Sequence, residues 1–226
     1  MSVVNHVDKM VVSYSHKPSH GIGCTDSCPD TEKEIKSICR EVLGGKLIWD
    51  GAESFHTEGD HRAMRYKYSD GYDLILTIDA DEVFKEDEIH SALVFASLGR
   101  ERYYGINGYV NLWRSFNWAC YDGFRPIRIE NLRANNNEQN LNCNLTVWHF
   151  STCQSEKIMR YKFNVFGHAS EVRPNWVQET YYGWTPQNNF PDVHCVAYGL
   201  WTPTPYDKNK MPNSLKNHVN FNKELI

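Results

Sequence analysis

Five consecutive residues, Leu74-Ile75-Leu76-Thr77-Ile78, run without a charge and stop against Asp79-Ala80-Asp81-Glu82, which carries three carboxylates. A run so short and so rich in branched side chains reads as a strand covered on both faces, the habit of parallel sheets. It is far too short for the ~20 apolar residues of a membrane span. The preceding chain alternates in the same sense. Residues 9–14 read as a strand, and a loop rich in Pro, Gly, Ser and Cys follows. Asp30-Thr31 then caps a helix that runs to Leu43, with Glu32 and Glu34 in its acid-favouring first turn and Gly44-Gly45 at its end. Residues 46–49 read as a second strand, 58–67 as a second helix, and Ser69-Asp70-Gly71 as a turn into the apolar run. Residues 86–97 read as a further helix. Strand-helix-strand-helix-strand predicts a parallel α/β sheet with right-handed crossovers. Such sheets bind ligands beyond the carboxyl ends of their strands, where the acidic cluster falls.

From Tyr103 onward the chain is aromatic, polar and loop-rich. Residues 109–113 and 145–150 read as strands, Asn135-Asn136-Asn137 as a turn, and 207–226 as a loosely held terminal helix. The expected organisation is one domain over 1–226, with a nucleotide and metal half (1–100) and an irregular acceptor half (101–226). Its 226 residues can bury a core without disulfides or a metal staple. The 7 cysteines are odd in number and unevenly spaced, so they read as reduced thiols; Cys24 and Cys28 with His16 and His20 are a weak zinc-knuckle alternative. With 24 basic against 28 acidic residues, net charge −4, bulk charge offers nucleic acid no general attraction. A local groove of Arg125, Arg128 and Arg133 leaves DNA open as a partner. No signal or spanning pattern is present, so the expectation is a cytoplasmic protein, in the host cytoplasm if the chain is viral.

On an extended strand alternate side chains point the same way, so Asp79 and Asp81 are expected to aim two carboxylates at one point. That arrangement suits Mg²⁺ or Mn²⁺ holding phosphate oxygens and offsetting charge on a diphosphate leaving group. The alternative is a solvated acidic turn. Aromatics reach 13 %, which fits either plain core or a stacking cleft.

Residues 73–82 resemble the DxD-bearing strand of GT-A fold glycosyltransferases, and the DADE form resembles family 2-like and family 17 enzymes. Downstream, Trp148-His149-Phe150-Ser151-Thr152-Cys153, Glu156-Lys157-Ile158, Lys162 and His168 resemble a second family 17 block, so the likeness covers roughly 46–172. It implies a Rossmann-like, mostly parallel GT-A sheet flanked by helices. It implies metal-dependent, inverting transfer of a hexosyl, N-acetylhexosaminyl or pentosyl group from a nucleotide sugar, a UDP-sugar first, to a hydroxyl. The acceptor would be a glycan or, as in some phage enzymes, a hydroxymethylated DNA base. Asp79 and Asp81 would hold metal and diphosphate, with His149 as third metal ligand and His168 as its rival. Arg62 and Arg65 would reach the donor phosphates, or simply form a solvated helix face. Asp30 resembles the family's helix start and joins the donor set. For the base, Glu82 and Glu171 lead Asp122 and Glu130 because they adjoin the two matched blocks. Trp113, Trp118 and Tyr121, with His168, are the expected acceptor platform, ordinary packing being the alternative. Where the family often carries an acid, this chain reads Ser13-Tyr14-Ser15-His16, and it starts near where the family's first helix would end. Those departures keep a non-catalytic sugar- or nucleotide-binding relative in view. A sugar nucleotidyltransferase is the other alternative.

Overall fold

The computed structural model describes residues 3–18, 28–52, 55–165 and 168–225. His20 and Cys24 of the zinc-knuckle alternative lie outside the described residues.

The N-terminal elements follow local chemistry closely. Strand β1 (Met10–Ser15), helix α1 (Glu32–Leu43) and strand β2 (Leu47–Ala52) form one βαβ unit, with β1 and β2 parallel from Met10↔Leu47 to Ser15↔Ala52. Thr31 Oγ1 accepts from the Glu34 N–H at 3.2 Å while the Glu34 carboxylate accepts from the Thr31 N–H at 2.8 Å, a reciprocal cap. Thr57 and Asp60 repeat this cap on α2 (Glu58–Ala63). The helix expected over 58–67 changes there into a 3₁₀ turn, Met64–Tyr68.

The next elements are β3 (Leu74–Leu76), β4 (Glu82–Phe84), α3 (Glu86–Leu98), β5 (Glu101–Trp113), β6 (Trp118–Cys120), β7 (Ile127–Asn131) and β8 (Asn136–Thr152). Then come α4 (Glu156–Val165), β9 (Thr204–Pro205) and α5 (Asn213–Lys216). The fold is mixed α/β, but the mostly parallel sheet is overturned. β1 and β2 form a separate pair, and in the seven-stranded sheet β3–β7, β4–β8, β5–β6, β5–β7 and β6–β9 are antiparallel, leaving β5–β8 as its parallel pairing. The reason is the partner of β3: it lies against the returning strand β7, at Ile75↔Glu130, instead of crossing over beside a parallel neighbour.

The half expected to be irregular holds the two longest strands, of 13 and 17 residues. Gly105 and Gly108 make the β5–β8 approach possible. A Cβ on Gly105 would stand 2.5 Å from Asn142 Oδ1, and one on Gly108 2.9 Å from Thr146 Oγ1. The expected turn at Asn135–Asn137 is already entering β8; the turn lies at Leu132-Arg133. The core sits between α3 and this sheet, where Ile89, Ala92 and Ala96 meet Tyr104, Ile106, Ile129, Leu145 and Val147. The C-terminal tail is docked, and in place of one terminal helix it carries a 3₁₀ turn at Lys208–Lys210 and the four-residue α5. Phe221 packs edge-on against Phe116 at 5.8 Å, and Trp148 Nε1 donates to Tyr206 Oη at 2.8 Å. Among the described residues no helix is long and apolar enough to cross a membrane.

A second aromatic core gathers Trp113, Trp176, Tyr181 and Trp184. Beside it, His194 Nδ1 accepts from the N–H groups of Val196 (3.2 Å) and Ala197 (2.9 Å) and its ring meets Trp201. Burial holds the His194 pKa below its usual value, with Asp122 pulling it up and Arg173 pushing it down. A protonated Nδ1 cannot accept, so this loop's stability is complete above pH ~6.5 and declines as pH falls below it. Amide exchange of Val196 and Ala197 should therefore accelerate from pH 7.5 to 5.5 beyond the intrinsic rate change. Equal protection at both values would show that the ring does not organise the loop.

Candidate functional site

The acidic tetrapeptide does not continue an extended strand. Glu82 N–H donates to the Asp79 carbonyl at 3.0 Å, closing a turn between β3 and β4. The turn sends the carboxylates to different partners. Asp79 Oδ1 meets Arg62 Nη1 at 3.3 Å and Asp79 Oδ2 meets Arg128 Nη2 at 2.9 Å. Asp81 Oδ2 accepts from Lys162 Nζ at 2.6 Å, and Asp81 Oδ1 faces His149 Nε2 at 3.6 Å. The expectation that both carboxylates converge on one point is thus corrected.

Antiparallel pairing of β4 with β8 sets Glu82 opposite His149 and Val83 opposite Trp148, and Phe150 N–H donates to the Asp81 carbonyl at 2.7 Å. Residues some 70 apart in sequence therefore share one wall. Nδ1 of His149 lies 2.8 Å from Asn111 Oδ1 and its ring stacks on Tyr109 at 5.2 Å. Burial drives the His149 pKa down to about 4, against the pull of Asp81. The ring is neutral at pH 7; assigning its proton to Nδ1, where Asn111 Oδ1 accepts it, turns the Nε2 lone pair toward Asp81 Oδ1. Burial works against ionised Asp81, but the Lys162 ammonium, the neighbouring His149 and the hydrogen bonds to the carboxylate together outweigh it and hold the pKa below the usual carboxylate range.

Glu82 is the expected base that the structure reassigns. Its side chain is 0 % exposed. Arg128 forks onto both its oxygens, with Nε to Oε2 at 3.0 Å and Nη2 to Oε1, and Tyr109 Oη donates to Oε1 at 3.0 Å. The Asp79 N–H donates to Oε2 at 3.2 Å. A base must reach the proton it removes, whereas this carboxylate is enclosed and saturated; burial also raises its pKa. Glu82 is a strut of the turn.

The other expected residues scatter. Arg62 reaches the cluster, but Arg65 instead pairs with the buried Glu130 at 3.5 Å, which also takes Arg102 at 2.8 Å. Glu130 is therefore a second enclosed carboxylate. Glu171 pairs with His168 at 3.1 Å, both exposed. Asp30 lies at the surface, 3.9 Å from Lys157 of α4. Trp113 is 0 % exposed, edge-on to Trp176, Tyr181 and Trp184, so it is core and not platform. Trp118 leans edge-on against Trp184 at 5.2 Å, while Tyr121 is open to solvent. The basic groove does not form: Arg128 is buried in the acidic cluster and Arg133 is paired with Asp73.

Tyr109, Asn111 and Phe124 are site residues that the sequence did not single out, and Arg128 was expected in a basic groove instead of in the acidic cluster. Phe124, 60 % exposed, packs edge-on against Tyr109 at 5.9 Å, so an open aromatic stands beside the ring that covers His149. Its neighbour Asp122 is exposed and oriented, accepting from Trp201 Nε1 and from Phe124 N–H, each at 2.8 Å.

Among the described residues no three His, Cys, Asp or Glu side chains converge as a ready cage for a metal. Two ligand atoms do face each other, Asp81 Oδ1 and His149 Nε2 at 3.6 Å. Ligands ~2.1 Å from one divalent cation stand about 3–3.5 Å apart at octahedral to tetrahedral angles, so this pair fits with little movement. The Asn111 bond behind His149 is the usual outer support of a metal-binding imidazole. Compared with protein-family models, curated proteins and solved structures, the chain matches none.

Proposed function

We infer that this chain is a metal-dependent glycosyltransferase that moves a sugar from a nucleotide-diphosphate donor, a UDP-sugar first, to a hydroxyl with inversion. The observation that carries this reading is the shared wall of Asp81 and His149, beside a turn whose Asp79 is held by two arginines. Four carboxylates, Glu58, Asp79, Asp81 and Glu82, stand against three cations, Arg62, Arg128 and Lys162, so the cluster carries no surplus positive charge. A diphosphate dianion entering alone would disturb that balance; entering with a divalent cation it would not. Asp81 and His149 would hold Mn²⁺ or Mg²⁺, which would polarise the diphosphate as a Lewis acid.

In the transfer, the acceptor oxygen forms a bond to the anomeric carbon as the carbon–phosphate-oxygen bond breaks. The electron pair leaves with the diphosphate, and the acceptor proton goes to a base. Of the four carboxylates considered for that role, Glu82 and Glu130 are enclosed and Glu171 is paired with His168. Asp122 is both accessible and carried on the Phe124 loop, so it takes the role of base. Phe124 takes over from Trp113 as stacking surface. Phe124→Ala should raise the KM of the stacked substrate about tenfold and leave kcat within about threefold, since one stacking contact contributes about 1–3 kcal/mol. The exposed ring should leave Tm unchanged. An unaltered KM for both substrates would remove the ring from binding.

The deciding experiment incubates the protein with Mn²⁺ or Mg²⁺ and UDP-, GDP- and CMP-sugars, with acceptor glycans or hydroxymethylated DNA. Cation-dependent release of the nucleotide, with sugar gained by the acceptor, is the expected result. Pyrophosphate release would identify a nucleotidyltransferase, and binding without turnover a non-catalytic relative.

A further inference from the structure

We propose that Lys162 is a displaceable counter-cation: it occupies Asp81 in the free protein, competes with a divalent cation for that carboxylate, and once displaced binds the donor's diphosphate. The proposal rests on the donor-site reading above. Its basis is an asymmetry among the three cations of the cluster. Arg62 is shared between Asp79 and Glu58, and Arg128 between Asp79 and Glu82, so each guanidinium is fixed by two carboxylates. Lys162 has one carboxylate, Asp81 at 2.6 Å, and a neutral second partner, Ser151 Oγ at 3.1 Å.

The side-chain chemistry points the same way. A guanidinium is a planar fork matched to its carboxylates, while an ammonium is a point charge on a flexible four-carbon stem that keeps its donors wherever it swings. Lys162 is also partly open, at 21 % exposure, between Arg128 at 7 % and Arg62 at 43 %. One oxygen of Asp81 holds the ammonium and the other faces the His149 lone pair, so a cation bridging Asp81 and His149 would sit on the same carboxylate as Lys162. Two cations on one small carboxylate repel, and at this burial solvent screens the repulsion weakly. Lys162 would therefore be loosened from Asp81 once Asp81 and His149 held a cation, and its ammonium would be free to bind the diphosphate that arrives with it. Free energy spent on separating Lys162 from Asp81 returns when its ammonium meets phosphate oxygens. Such a site holds its cation weakly until donor arrives with it.

The test needs no sugar transfer. Free Mn²⁺ is measured by electron paramagnetic resonance during titration of wild type, Lys162→Met, Lys162→Gln and, as a control on the same helix, Arg160→Gln, which removes an exposed pair with Glu156. Removing the competing charge should tighten Mn²⁺ about tenfold in both Lys162 variants and leave the Arg160 control at the wild-type value. Lys162→Gln keeps a hydrogen-bonding side chain beside Asp81 and so answers for any packing fault in Lys162→Met. In saturating Mn²⁺, calorimetry with UDP and GDP should then show the tighter nucleotide weakened about tenfold in both variants. Mn²⁺ affinity unchanged or lowered in both Lys162 variants would overturn the competition, and unchanged nucleotide affinity would overturn the hand-over. In either case, retained nucleotide binding by wild type leaves the donor-site reading standing. If no protein binds Mn²⁺ or nucleotide, both fall together.

Discussion

Arg128→Met should destabilise the protein by about 3–5 kcal/mol, the cost of removing one partner from a buried ion pair. Arg128 is 7 % exposed, and its guanidinium holds both oxygens of the fully enclosed Glu82 and, at 2.9 Å, Asp79 Oδ2. After the substitution Glu82 retains Tyr109 Oη and the Asp79 N–H, but no charge opposes it. Its pKa, already raised by burial, should rise further. A carboxyl group whose folded pKa exceeds its unfolded one adds stability that is full below the unfolded value and is lost as pH rises through the folded value. The variant should therefore be less impaired at pH 5 than at pH 8. Arg128→Lys should recover only part of the loss, because a point charge cannot fork. Adding Glu82→Gln to Arg128→Met should recover about half, by removing the stranded charge. Urea unfolding of the three variants and the wild type measures this. A loss below about 1 kcal/mol for Arg128→Met would show that water or a proton satisfies Glu82 at little cost, and that the guanidinium is not the pin of the turn.

The same arginine shows what a sequence conceals. The α1 helix was legible because its causes are local: Thr31 and Glu34 cap each other and Gly44, at φ +52°, stops it. The acidic cluster was legible as a place, since three carboxylates within four residues end an apolar run, but its geometry was not. Whether Asp79 and Asp81 diverge depends on a turn closed by a hydrogen bond, and that turn exists because β4 must meet β8. Arg128 enters through the β3–β7 pairing, 49 residues from Asp79, which no local pattern announces. The ends of β5 and β8 were legible, at 109–113 and 145–150, but their first halves were not, because Gly105, Gly108 and a run of asparagines have poor intrinsic strand propensity; here close approach of two backbones overrides it. The aromatic residues were ambiguous from the start, and burial decides them. Trp113 went to the core, and an unremarked phenylalanine took the open position.

The division of the turn between two sets of cations leads to the largest functional effect. Asp81→Asn should reduce cation-dependent nucleotide release at least about 100-fold, since Asp81 is the carboxylate that faces the His149 lone pair and an amide is a poor ligand for a hard cation. The shape is kept and Lys162 retains Ser151 Oγ, so the fold should hold. Asp79→Asn should behave differently. Its carboxylate faces Arg62 and Arg128, so the change should disturb the two guanidinium groups and leave Mn²⁺ affinity within about threefold of wild type. Its loss should appear instead as weaker nucleotide binding and a lower Tm. Measured side by side, Mn²⁺ affinity should collapse in Asp81→Asn and persist in Asp79→Asn. Equal collapse in both would mean that donor and metal together draw the two carboxylates onto one point, as an extended strand would have placed them. Mn²⁺ affinity lost in Asp79→Asn alone would move the metal to the arginine side of the turn and leave His149 as a core residue stacked on Tyr109.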